Sequence, residues 1–133
     1  MRVIIAGSRR LPSVGLTEPS HWQVPRVREK MMELLEEAVE KSGFVIDAVV
    51  SGRCWGIDQL GEEYAEKHGL PVEQYPADWN KFGRRAGHLR NVQMADHADA
   101  LICIAAEGST GSMDMIEIMK EKNKPLFAMI LDG

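Results

Sequence analysis

With only two cysteines, Cys54 and Cys103, the sequence excludes a disulfide framework and a CxxC metal clamp. It also lacks any apolar run near the ~20 residues needed to span a bilayer. The opening MRVIIAG is followed at once by GSRR, too soon for a signal peptide. These absences point to a cytoplasmic protein with no membrane partner. Aromatic residues are scarce at 6% and the net charge is −4, which argues against a chain that coats nucleic acid. The four histidines (His21, His68, His88, His97) have no metal-ligand spacing, so surface or packing roles and no metal site are expected. No internal repeat or low-complexity tract is present.

What is present is an acidic body with cationic loops. Glutamates crowd the helical segments (Glu29, Glu33, Glu36, Glu37, Glu40, then Glu62, Glu63, Glu66). Six of the nine arginines (Arg9, Arg10, Arg53, Arg84, Arg85, Arg90) fall in or beside loops, the pattern of a local anion site. Five short stretches read as strands: 2–6, 48–52, 71–75, 100–105 and 125–130, of which 100–105 is the most continuous buried run. Helical patterns lie between them. One spans Pro25 to Ser42, with Val27, Met31, Leu34, Leu35 and Ala38 on one face, Pro25 in the first turn and Gly43 past the end. The others span 56–69, 87–97 and about 110–123. Residues 9–24 read as a loop insertion, centred on 11–24 and long enough to suggest a functional lid. The stretch PADWNKFGRRAG reads as an irregular arm.

The order β-α-β-α-β-α-β-α-β predicts an α/β fold: a doubly wound parallel sheet in three α/β/α layers, a single domain over residues 1–133. Ligands of such sheets bind at the carboxyl ends of the strands. Four loops fall there: 7–10, 51–56, 78–90 and 107–112. Gly7-Ser8-Arg9 brings close backbone approach and phosphate-binding donors, although an ordinary turn explains it equally well. Ser51-Gly52-Arg53-Cys54-Trp55-Gly56-Ile57-Asp58 would aim a helix N-terminus at an anion, with Asp58 either capping that helix or bonding ligand hydroxyls. Cys54 has nothing nearby to make it a nucleophile. Gly108-Ser109-Thr110-Gly111-Ser112 is the strongest signal, five small residues between a buried strand and a helix start. It is neither a Walker A loop nor GxGxxG. Arg90 and Asn91 fall near a helix start where a guanidinium can grip phosphate, while Arg84 reads as a solvated surface charge. The last helix carries Met113, Met115, Ile116, Ile118 and Met119, more apolar surface than one core-facing stripe needs, which predicts a homodimer or larger assembly.

Taken together, GSR, SGRCWGID, ADWNKFGRRAGHLRNVQM and GSTGSMDM resemble the YspA-like, YpsA-related branch of the SLOG superfamily, which also includes the Lonely Guy phosphoribohydrolases and DNA-processing protein A. The resemblance covers the whole chain except the 11–24 insertion. It implies a Rossmann-like fold, an oligomer, and a pocket for a nucleotide or nucleotide-derived, ADP-ribose-like ligand, with no cofactor otherwise identified. It carries Gly7 and Ser8 into the first loop and Gly52, Gly56 and Asp58 into the second. Arg90, Asn91 and Met94 match the RNxxM element. Gly108, Gly111 and Ser112 match the outer glycines and the threonine of the PGGxGT loop. Ala-Ala-Glu-Gly stands here in place of Pro-Gly-Gly, and Ser109 takes the second glycine's position.

Lonely Guy enzymes carry a glutamate three residues after that threonine, and the matching position is Met115. A thioether does no general acid or base chemistry. Asp114, one helical step away, is expected to point elsewhere. Binding or sensing is therefore expected over cleavage. The alternatives are a phosphoribohydrolase using Arg90 with Asp114 or Glu117, and a single-strand nucleic-acid binder.

Overall fold

The computed structural model describes residues 1–131. Its centre is a five-stranded, all-parallel sheet: β1 (Arg2–Gly7), β2 (Ala48–Ser51), β3 (Val72–Gln74), β4 (Ala100–Ala106) and β5 (Leu126–Leu131). The spatial order is β3-β2-β1-β4-β5. The helices are α1 (Pro25–Ser42), α2 (Ile57–Lys67), a short α3 (Trp79–Phe82), α4 (Ala86–His97) and α5 (Thr110–Glu121). The expected doubly wound, Rossmann-like arrangement is what forms.

The central strands explain why. Successive side chains of a strand point to opposite faces, so a strand covered on both faces must be apolar throughout. All seven residues of β4 are buried. Val3 and Ile5 of β1 pack with Leu35 of α1 and Leu60 of α2, whereas Ile4 and Ala6 pack with Met94 of α4 and Met119 of α5. The chain runs outward from β1 through β2 to β3, then returns to β4 on the other side of β1. α1 and α2 cover one face and α4 and α5 the other, so connections diverge where β1 meets β4. A crevice opens at that switch point, beyond the strands' carboxyl ends.

Its floor is fixed by contacts beyond the ladder. A Cβ on Gly7 would stand 1.9 Å from the Ile104 carbonyl oxygen, so only glycine lets β1 lie this close to β4. The Ser8 amide donates to that same oxygen at 3.1 Å. The buried Ser8 hydroxyl accepts from the Ala106 amide at 2.8 Å.

Two regions differ from the sequence expectation. Residues 9–24 do not form a free lid. Leu11, Leu16 and Trp22 are buried in the main core, and Leu11 and Leu16 exchange backbone hydrogen bonds around a 3-10 turn, Pro12–Val14. The Trp22 indole donates to the Arg9 carbonyl at 3.1 Å, pinning the insertion to the end of β1. The second region is α5, where Met115, Ile116, Ile118 and Met119 are all buried within this one chain and Met113 packs against the same core. The apolar surplus that suggested an assembly is used internally, so the oligomer expectation rests on family resemblance. No helix among the described residues is long and apolar enough to cross a membrane.

Candidate functional site

The crevice holds a cleft of about 490 Å³, within the range of small-molecule sites. Five segments wall it: the end of β1 (Ala6–Arg9), Cys54 and Asp58 from the turn after β2 and the start of α2, the first turn of α5 with the loop before it, α4 from Gly87 to Met94, and Trp79 with Arg84 from the arm. Of the residues singled out from sequence, Gly7, Ser8, Arg9, Asp58, Arg90, Asn91, Ser109, Thr110, Gly111, Ser112 and Asp114 line it together.

The α5 wall is set by its N-terminus. Ser109 is the N-cap residue in extended conformation, and its hydroxyl bonds the Ser112 hydroxyl at 3.2 Å instead of the helix backbone. Gly108 takes φ +80°, a left-handed turn that costs glycine nothing. The amides of Thr110, Gly111 and Ser112 belong to the first turn, where an α-helix has no carbonyl of its own to satisfy them. With the positive end of the helix dipole, they form an anion-favouring surface. Arg9, Arg84 and Arg90 line the same cleft.

The second loop behaves differently. Ser51 is buried and its hydroxyl donates to Glu62 of α2 at 2.6 Å. Arg53 donates to the other Glu62 oxygen at 2.5 Å and takes a left-handed φ of 67°. Both are committed to Glu62, and neither lines the cleft. Gly56 packs against the Ser8 carbonyl and Trp22, also off the cleft. Gly52 has a supporting role: a Cβ there would meet the Arg90 guanidinium at 2.7 Å and the Asp58 carboxylate at 2.8 Å. Its carbonyl accepts from Arg90 Nη1 at 2.5 Å. Gly108 borders the cleft without lining it, and Glu117 is exposed on the outer side of α5.

Asp58 does not cap α2, since no side chain caps that helix. It sits buried beneath the loop and accepts from the Cys54 amide at 3.3 Å. Burial pushes its carboxyl up to about 6, opposed by the nearby Arg90 charge and by backbone donors of Cys54 and Gly7. Cys54, expected to be incidental, also lines the cleft, its sulfur 3.8 Å from Arg90 Nη2.

A chain of hydrogen bonds spans α4 and α5. Arg90 Nε donates to Asn91 Oδ1 at 3.1 Å, and Asn91 Nδ2 donates to Asp114 Oδ2 at 3.0 Å. His88 Nδ1 lies 2.9 Å from Asp114 Oδ1. This corrects three expectations. Asp114 does not point away but lines the cleft, held by two partners. His88 is no bystander. Arg84, read as a solvated charge, lines the cleft although exposed. Met115 forms part of the floor but is 1% exposed, packed in the α4–α5 core. Trp79, Gly87 and Met94, which belong to the arm and the RNxxM element singled out in the sequence, line the cleft as well, whereas His88 carried no signal of its own because its meeting with Asp114 depends on how α4 and α5 dock. Among the described residues, no group of three or more His, Cys, Asp or Glu could hold a metal ion.

Comparison with known proteins adds the family. The chain is similar to the Gene 61 protein of Mycobacterium phage D29, 29% identical over 109 residues, which span 78% of this chain and 74% of that protein. No solved structure matches significantly. The model of the YspA, cpYpsA-related SLOG family matches residues 1–82, from β1 through α3. The chain therefore belongs to the YspA, cpYpsA-related SLOG family, and with it to proteins that bind or process nucleotide-related ligands in a general sense.

Proposed function

We propose that this protein binds or senses a nucleotide-derived ligand of ADP-ribose-like chemistry, with its phosphate on the first turn of α5. One observation carries the reading: Thr110, Gly111 and Ser112, whose first-turn amides have no helical carbonyl to bond, line the same cleft as Arg9, Arg84 and Arg90. Helix-terminal amides and guanidinium groups both favour phosphate, and here they line one cleft. Family membership supports the ligand class. Ser8 and Asn91 hold the walls in place through their own hydrogen bonds.

Native mass spectrometry of freshly purified protein tests this first, by looking for a copurified nucleotide. Calorimetric titration with ADP-ribose tests it quantitatively. Arg90→Ala is expected to weaken binding by about 1.5–3 kcal/mol, the range for hydrogen bonds to charged groups. Unchanged affinity in that variant would remove Arg90 from the site.

A second reading, nucleoside-monophosphate cleavage, is favoured by the His88–Asp114 pair. A carboxylate that orients an imidazole is the usual construction of a general acid–base group. Incubation with nucleoside monophosphates and assay of released base separates the two readings. Turnover lost in both His88→Ala and Asp114→Asn would make the protein an enzyme; no turnover in the native chain would leave it a binding domain. Single-stranded DNA is proposed to bind weakly, with affinity falling steeply as salt rises.

A further inference from the structure

Trp79 is 57% exposed, while Trp22 is 7% exposed inside the core. An open indole leaves a large apolar surface in water, so its setting matters. It is held in place. The Asp78 carboxylate accepts from the Lys81 amide at 3.0 Å, capping α3, and the indole edge rests on Gly87 at the start of α4. A Cβ on Gly87 would come within 3.3 Å of the indole Cη2, so a glycine there admits the ring. Two other rings carry cations of their own: Lys81 lies 5.2 Å from the Phe82 centroid and Arg10 lies 5.9 Å from that of Trp55. Among the described residues, Trp79 has no such cation and no stacked ring. It is also the tryptophan that lines the cleft.

We propose that Trp79 is a stacking platform for the aromatic base of the bound ligand. The inference rests on the phosphate site at α5 and extends it, because a cleft of about 490 Å³ exceeds what a phosphate group alone would occupy. Every nucleobase presents a π face, so the platform selects ligands that carry a base over sugar phosphates that do not.

Calorimetric titration of AMP and of ribose 5-phosphate tests this in the native chain, Trp79→Ala and Trp79→Phe. The native chain is expected to bind AMP about tenfold more tightly than ribose 5-phosphate, within the range for one base stacked on an aromatic ring. Trp79→Ala should collapse that preference to near unity, and Trp79→Phe should keep most of it. A native chain that binds both ligands equally, or a preference that survives Trp79→Ala, overturns the platform while leaving the phosphate site standing. Failure of both ligands to bind the native chain overturns the phosphate site and the platform with it. Sedimentation of the same samples covers the other occupant: if Trp79→Ala dissociates an oligomer and leaves the AMP preference intact, the ring is a subunit contact and the platform is wrong.

Discussion

Two strand-to-helix turns in this protein look alike in sequence and differ in what fills them. The turn after β2 holds Gly52 and Gly56, and the turn after β4 holds Gly108 and Gly111. At Gly52 the space that a side chain would occupy belongs to Arg90 and Asp58. At Gly108 and Gly111 no described atom outside the chain neighbours lies within 4 Å of where a Cβ would stand. The first turn is closed on the protein's own charges; the second opens on the cleft. A glycine-rich turn thus marks close approach, and the approaching group can be internal. Ser51 and Arg53 bond Glu62, while Thr110, Gly111 and Ser112 line the cleft.

The largest expected effect probes the closed turn. Because burial raises the Asp58 carboxyl from 3.8 to about 6, its ionised form opposes folding. The stability is complete below about pH 4, declines as pH rises through 6, and stays reduced above it. Asp58→Asn removes that titration, so the variant should be more stable than the native chain at pH 8, by up to about 3 kcal/mol at 1.36 kcal/mol per pH unit. The difference should shrink as pH falls below 6. Urea denaturation at pH 5 and pH 8 reads both, and a difference independent of pH would contradict the buried setting of Asp58.

Gly52→Ala comes next. A methyl group 2.7–2.8 Å from Arg90 and Asp58 forces one of them to shift, which is expected to cost about 1–3 kcal/mol. The same measurement on Gly111→Ala should show a change within about 0.5 kcal/mol, since the methyl meets open space at a helix start. Affinity for ADP-ribose should nevertheless fall in Gly111→Ala. If the two substitutions destabilise equally, the contrast between the turns is lost.

Much of the fold is legible in the sequence, because β1, β2, β4 and β5 are apolar runs, and β1 and β2 end against glycine or serine; β3, with Glu73 and Gln74, is the weakest signal. Pro25 and Gly43 bracket α1 as expected, and the αL backbone at Gly43 confirms the stop. The insertion was not legible. Leu11, Leu16 and Trp22 follow no helix or strand period, and only the packed chain shows that they share one core. At the site, the loops were readable because small residues cluster after strands. The side-chain partners were not: Glu62 and Arg53, 9 positions apart, meet because the turn folds back on α2, and His88 and Asp114, 26 positions apart, meet only where α4 packs on α5. The broad apolar face of α5, read in the sequence as surplus, serves both the sheet and α4.

The central claim is that the turn after β4, and not the turn after β2, receives the ligand's phosphate. An amide-resolved NMR titration of labelled protein with AMP tests it most directly. The largest shifts are expected on the amides of Thr110, Gly111 and Ser112, with those of Ser51, Gly52 and Arg53 moving far less. Shifts centred on residues 51–56, with 110–112 unmoved at saturation, would contradict it.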